Sequence, residues 1–227
     1  MTSFVLIPGA GGAAWYWHRV APLLEQAGHE AIAVDLPGED EQAGLDEYTD
    51  TVVRAVGTRT DVIVVAQSLG GFTAPLVCAR VVPRMLVFVN AMIPLPGETA
   101  GDWWGKTGSV EARTAAATRK GYSPAFDLAT YFLHDVPEDV ALAGAQHQHA
   151  EGKIVFGQPC RFETWPDAPI VVVVGADDRF FPAEFQERVA RDRLNKGIDP
   201  IPGGHLVALS NPRALVDRLL AHEREMR

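Results

Sequence analysis

Three nearly uninterrupted apolar runs, 62–66 (VIVVA), 85–89 (MLVFV) and 170–174 (IVVVV), constrain this chain more than any other feature. A strand with one wet face alternates apolar and polar side chains. Runs without alternation need cover on both faces, as in a parallel sheet between two helical layers. With shorter runs added, strands are expected near 3–8, 30–35, 61–67, 85–90, 169–175 and 198–202. Helical patterns separate them. One covers 22–27, with Pro22 at its start and Gly28 as its stop; others cover 45–57, 69–81 and 182–194, and a last one starts near Pro212. Pro75 lacks the N–H the helical ladder needs, so a kink is expected inside 69–81. The expected fold is α/β: a sheet of about six mostly parallel strands, with helices on both faces.

At 227 residues the chain is long enough for one large domain with a full core. Residues 93–168 break the strand–helix rhythm, opening with Pro94, Pro96 and Gly97 and carrying Trp103, Trp104, Tyr131, Phe132, Phe156 and Trp165. So long an excursion between two core strands is expected to fold as a small helical cap rather than stay loose. The expected organisation is a core from 1–92 and 169–227, with a cap insertion at 93–168. Hydrophobic residues at 47% exclude a mostly disordered chain. A net charge of −9 without a basic stripe would repel nucleic-acid phosphates and anionic membrane surfaces. No apolar run approaches the ~20 residues that span a bilayer. The opening MTSFVLIPGAG lacks the basic and apolar pattern of a leader, which gives a cytoplasmic expectation. Two cysteines, Cys78 and Cys160, make no disulfide framework and match no metal motif, so both read as buried thiols.

The run at 62–66 leads into Gln67-Ser68-Leu69-Gly70. A serine at a sharp strand-to-helix bend needs small residues two positions to either side, and Ala66 and Gly70 supply them. This is a nucleophile elbow with alanine at its first glycine position. A serine here could instead merely cap the next helix. An activated serine also requires an acid and a histidine, following it in that order. Both are present. Asp177 and Asp178 close the strand expected at 169–175, at the carboxyl edge where ligands gather in open α/β folds, and either could be the acid. His205 follows Gly203 and Gly204, which allow close backbone approach, ahead of the last helix. Oxyanion N–H groups are expected from Leu69 in the elbow and Ala10 in the glycine-rich turn at 8–12. That turn lacks the Lys-Ser/Thr ending of a phosphate loop and misses the dinucleotide-binding spacing.

With these residues in place, the chain resembles the α/β-hydrolase superfamily over nearly its full length, and within it the small esterases and hydroxynitrile lyases of the plant methylesterase type. The likeness is carried by FVLIPGAGGAAWYWHRVAPLLEQAGHEAIAVDLPG, by PAEFQ after the acid, and by GGH before the last helix. The resemblance implies a Ser68–His205–Asp178 triad, because the family acid stands four residues before a proline, here Pro182; Asp177 is then left to cap the turn. It also implies oxyanion amides from Ala10 and Leu69, and a cap closing a small acyl pocket. The chain departs from the family at Pro8 and Gln67, where histidine is usual or frequent. The lyase branch uses a threonine where Gly9 stands and a lysine where Leu206 stands. Without that lysine a departing cyanide loses its main electrostatic help, so hydrolysis is favoured.

The expected function is that of a serine esterase cleaving a small carboxylic ester through an acyl-enzyme, with no metal or organic cofactor. A small-molecule ester is the expected partner; nucleic acid and membrane are not, and a homodimer is left open. Fold and triad do not fix the chemistry, so two alternatives stand beside this. One is a hydroxynitrile lyase-like or carbon–carbon bond-cleaving enzyme on the same triad; the other is a non-hydrolytic small-molecule binding protein. His147 and His149 suggest a metal pair, but residues two apart do not face each other on a helix, and a solvated cap face is the expectation. Trp15, Trp17, Trp103 and Trp104 read first as packing residues, with one cap tryptophan a candidate for substrate contact.

Overall fold

A computed structural model describes residues 1–147 and 149–226. The strands are β1 (Ser3–Ile7), β2 (Glu30–Ala33), β3 (Val62–Gln67), β4 (Met85–Val89), β5 (Ile170–Gly175) and β6 (Asp199–Ile201). They form one six-stranded sheet in the order β2-β1-β3-β4-β5-β6, with every neighbouring pair parallel. The helices on the sheet are α1 (Ala21–Gln26), α2 (Leu45–Val56) and α3 (Gly70–Cys78). Between β4 and β5 come α4 (Ala100–Thr107), α5 (Ser109–Lys120), α6 (Leu128–Tyr131), α7 (Glu138–Gly144) and α8 (Ile154–Gly157). Then follow α9 (Ala183–Leu194), α10 (Val207–Ser210) and α11 (Pro212–Glu225).

The unbroken apolar runs reflect a sheet that is dry on both faces. Along β3, Val62, Val64 and Ala66 join one core with Val52 and Val56 of α2 and Phe72 of α3. Ile63 and Val65 point the other way, into a second core with Leu24 of α1 and Leu215 and Leu219 of α11. Fully burying each such side chain is worth about 1.5–3 kcal/mol, so a polar residue at either parity would be costly. α3 is shorter than the expected 69–81. Pro75 lies inside it, and beyond Cys78 the amides of Arg80 and Val81 both turn back onto the Val77 carbonyl.

Strand order runs one way from β1 to β2 and the other way from β3 onward. At such a reversal the loops leaving neighbouring strands diverge and open a crevice at their carboxyl ends. The glycine-rich turn after β1 and the bend after β3 flank that crevice.

Among the described residues, the segment between β4 and β5 adds no strand to the sheet; outside its helices it contributes an isolated antiparallel bridge between Thr99 and Pro159. Trp103 anchors it: the indole N–H donates to the Ile93 carbonyl at 3.0 Å, and the ring packs on Phe181 and Phe185. A buried ion pair between Glu98 and Arg193 ties its start to α9. Both cysteines are buried, which pushes their thiols up to about 12. No helix among the described residues is long and apolar enough to cross a membrane.

Candidate active site

Ser68 sits between β3 and α3 with φ +49°, a left-handed conformation that a non-glycine residue rarely takes. The bend is held by the Ser68 carbonyl, which accepts the amides of Gly71 (3.1 Å) and Met92 (2.9 Å). Its glycines are sterically required. A Cβ on Gly70 would lie 2.4 Å from the Pro8 carbonyl oxygen, and one on Gly71 would lie 2.0 Å from that of Met92. The serine does not cap the helix: the N-cap position is Leu69, without a side-chain cap, and the hydroxyl turns elsewhere.

It turns to His205. Ser68 Oγ lies 3.1 Å from His205 Nε2, and His205 Nδ1 lies 2.8 Å from Asp178 Oδ2. Asp178 and His205 are 1% and 0% exposed, and Ser68 keeps 8%. The other Asp178 oxygen accepts the amides of Phe180 and Phe181, both at 2.8 Å. The expectation that Asp177 caps this turn is therefore corrected: Asp178 does so with its second oxygen, and Asp177 is exposed. A buried carboxylate with its lone pairs committed this way has a fixed orientation, which in turn fixes the imidazole.

Sequence reasoning missed two supports of this arrangement. Asn90, at the end of β4, is fully buried with φ +46°. Its Nδ2 donates to the carbonyls of Gly204 (2.9 Å) and His205 (3.1 Å), and its Oδ1 accepts the Gly175 amide at 2.7 Å. Gln186 of α9 donates to Asp178 Oδ2 at 3.2 Å and to the Phe181 carbonyl at 2.7 Å. The acid loop and the histidine loop are thus bolted to β4 and α9. The sequence offered only an asparagine closing an apolar run, which does not reveal the contacts it makes, and Gln186, within an ordinary helical pattern, gave no signal.

The turn after β1 packs directly onto the elbow. A Cβ on Gly9 would meet Gln67 Oε1 at 2.4 Å and Ser68 Cβ at 2.8 Å. Among the described residues, neither the Ala10 amide nor the Leu69 amide has an intramolecular acceptor. Gln67, the residue before the serine, places Nε2 3.4 Å from His205 Nε2.

A cavity of about 310 Å³ opens beside these groups, bordered by Gln67, Ala10 and Leu206, with Leu128, Phe132 and Val140 from the 93–168 segment opposite. Its lining is mainly apolar. Trp15 borders it, stacked on His147 at 5.1 Å, whereas Trp17 is buried in the second core. Trp103 and Trp104 do not border it, so no cap tryptophan lines this cavity; they pack with Phe181 instead. His147 and His149 are exposed as expected, but they also border the cavity, and only His147 lies in a helical turn. His149 pairs with Glu39 at 3.0 Å. Among the described residues, no group of three or more His, Cys, Asp or Glu is placed to hold a metal ion.

The sequence profile of the Alpha/beta hydrolase family matches residues 4–218. The chain belongs to the α/β-hydrolase family. This α/β hydrolase is similar to plant esterases and hydroxynitrile lyases within it. It is 27% identical to the alpha-hydroxynitrile lyase of Arabidopsis thaliana, over 96% of this chain and 95% of that protein. It is 33% identical to the probable esterase PIR7A of Oryza sativa subsp. indica over 110 residues, 43% of this chain and 42% of the other. The crystal structure of polyneuridine aldehyde esterase matches with a TM-score of 0.77 at 21% identity, covering 98% of this chain and 99% of that one. That likeness carries the fold.

Proposed function

We propose that this α/β hydrolase is a serine esterase that cleaves small, largely apolar carboxylic esters through an acyl-enzyme. The observation that carries the reading is the continuous chain Ser68 Oγ–His205 Nε2 and His205 Nδ1–Asp178 Oδ2, at 3.1 and 2.8 Å. His205 Nε2 takes the hydroxyl proton as Oγ bonds to the ester carbonyl carbon. Asp178 keeps Nδ1 protonated and stabilises the imidazolium that forms. The Ala10 and Leu69 amides receive the developing oxyanion, an interaction worth about a hundredfold or more in rate for each donor. The proton on Nε2 then goes to the departing alkoxide. In the second half a water gives its proton to Nε2, attacks the acyl carbon, and Ser68 leaves with that proton.

The cavity supports a small apolar substrate: most of its lining is aliphatic and aromatic side chains, with His147 and His149 also bordering it. The lyase reading draws on the relative of that name, but two features weigh against it. Leu206 follows the histidine and brings no charge to a departing anion. At position 9 the backbone lies so close to Gln67 and Ser68 that a side chain there has no room.

The test is turnover of short p-nitrophenyl esters by the wild type beside Ser68→Ala, together with covalent labelling by a fluorophosphonate. The expected result is ester turnover and a single labelled site, both lost in the variant. An inert, unlabelled wild type would move the assignment to the binding reading. Cleavage of cyanohydrins with no ester turnover would move it to the lyase reading.

A further inference from the structure

The excursion between β4 and β5 reaches back onto the core through two carboxylates, and each lands on a glycine of a different catalytic loop. Glu151 Oε2 accepts the Gly11 amide at 2.5 Å, while its Oε1 accepts the Tyr48 hydroxyl from α2. Asp135 Oδ2 accepts the Gly204 amide at 2.6 Å. Gly11 directly follows Ala10, and Gly204 directly precedes His205. The fit is close at both points. A Cβ on Gly11 would meet the His149 carbonyl oxygen at 2.9 Å, and Gly11 has φ +89°. A Cβ on Gly204 would meet Asp135 Oδ1 at 2.6 Å and His134 Nε2 at 2.8 Å. Each glycine therefore leaves the space that the excursion fills.

We propose that Glu151 and Asp135 are positioning residues, through which the cap aims the oxyanion loop and the histidine loop at the substrate. The inference rests on the hydrolase reading above. Its physical basis is the planarity of the peptide unit: fixing the Gly11 N–H fixes the plane of the Ala10–Gly11 peptide, which restrains, through the two torsions at Ala10, the neighbouring plane that carries the Ala10 N–H. At the other loop, Asp135 holds the amide side of Gly204 while Asn90 holds the Gly204 and His205 carbonyls, so the imidazole is gripped from both sides. Pro8 stands at the head of the oxyanion loop and has no N–H to donate, so part of that loop's restraint comes from the cap through Glu151. Burial pushes the Glu151 carboxyl above the usual carboxylate range, which lessens its repulsion of a nearby oxyanion.

The experiment compares Glu151→Ala, Glu151→Gln, Asp135→Ala and Asp135→Asn in the full chain. The readouts are kcat and KM on p-nitrophenyl butyrate, the rate of fluorophosphonate labelling, and the melting temperature. The control is Gln158→Ala, which removes a cap contact to the Leu45 amide, away from both catalytic loops. Each alanine variant is expected to lower kcat and the labelling rate together by roughly tenfold to a hundredfold, the scale of a small misplacement of catalytic groups, with KM within about twofold. The amide variants keep a carbonyl acceptor and are expected to return to within about threefold of wild type. The control is expected to melt earlier with its kcat unchanged. Alanine variants with wild-type kcat overturn the proposal, as does a kcat loss matched by the control. If Glu151→Ala does not fold, Tyr48→Phe decides, since it frees the carboxylate from its second hold; an unchanged kcat there overturns the oxyanion-loop half. A wild type inert to both ester and phosphonate overturns the hydrolase reading itself, an outcome distinct from an active wild type with indifferent variants.

Discussion

Asn90 shows how much one buried side chain can hold. Its four hydrogen-bond contacts tie the end of β4 to Gly175, Gly204, His205 and Gln186. Truncation to alanine leaves buried backbone groups unpaired at roughly 1–3 kcal/mol each, partly offset by local relaxation. Asn90→Ala is expected to lose about 2–4 kcal/mol of stability, read as a lower urea midpoint at unchanged m-value, and to reduce kcat more than it raises KM. Asn90→Asp is expected to do worse, because it turns acceptors toward the Gly204 and His205 carbonyls. At position 9 the constraint is steric. Gly9→Thr is expected to cost at least about a hundredfold in esterase kcat without creating cyanohydrin cleavage, since the new Cβ displaces the elbow or the loop. Ser68 and His205 were legible in the sequence because each is a reactive residue type beside glycines at a turn, whereas Asp178 was separable from Asp177 only through the family resemblance. Asn90 and Gln186 were not legible, because their contribution lies in whom they meet.

The central strands β3, β4 and β5 were the most legible elements, because burial on both faces leaves a short apolar run without alternation. The end of α3 and the helices at 93–168 were harder to read. There, helix limits depend on tertiary contacts such as Trp103 against α9 rather than on a repeating pattern. The β1–β2 edge carries a pH-dependent clamp. Glu30, the first residue of β2, accepts Arg59 at 2.6 Å through both oxygens and also Ser3 Oγ at 2.6 Å. The hydrogen bonds from Arg59 first, and from Ser3 second, lower its carboxyl from 4.5 to about 2. A lowered carboxyl pKa contributes stability in full above its unfolded value, and that contribution disappears as pH falls through the folded one. The pair is partly exposed, so solvent screening keeps that contribution small. Glu30→Gln is expected to flatten the loss of melting temperature between pH 4.5 and about 2, with little change at neutral pH.

Across the whole molecule, the first core closes around both cysteines, one from α3 and one from the excursion. Cys78 lies at the end of α3, and Cys160 donates to the Phe72 carbonyl at 3.1 Å. With their thiols pushed up to about 12, neither is expected to react with iodoacetamide at about pH 8 in the folded protein, and both should react on unfolding. Counting alkylated thiols by mass against urea concentration checks this; alkylation of the native state would contradict the packing described. The placement of 93–168 in the chain also has a consequence in time. The oxyanion loop and Ser68 lie within the first 92 residues, whereas Asp178, His205, Glu151 and Asp135 all come later. Synthesis delivers the N-terminal residues first, and a domain folds as a unit. On the proposed mechanism, a growing chain displays its nucleophile well before it has a base to arm it. Esters in the surrounding medium are therefore safe from a half-made protein, and hydrolytic competence is the last property the chain acquires, when the loop after β6 finally reaches the serine.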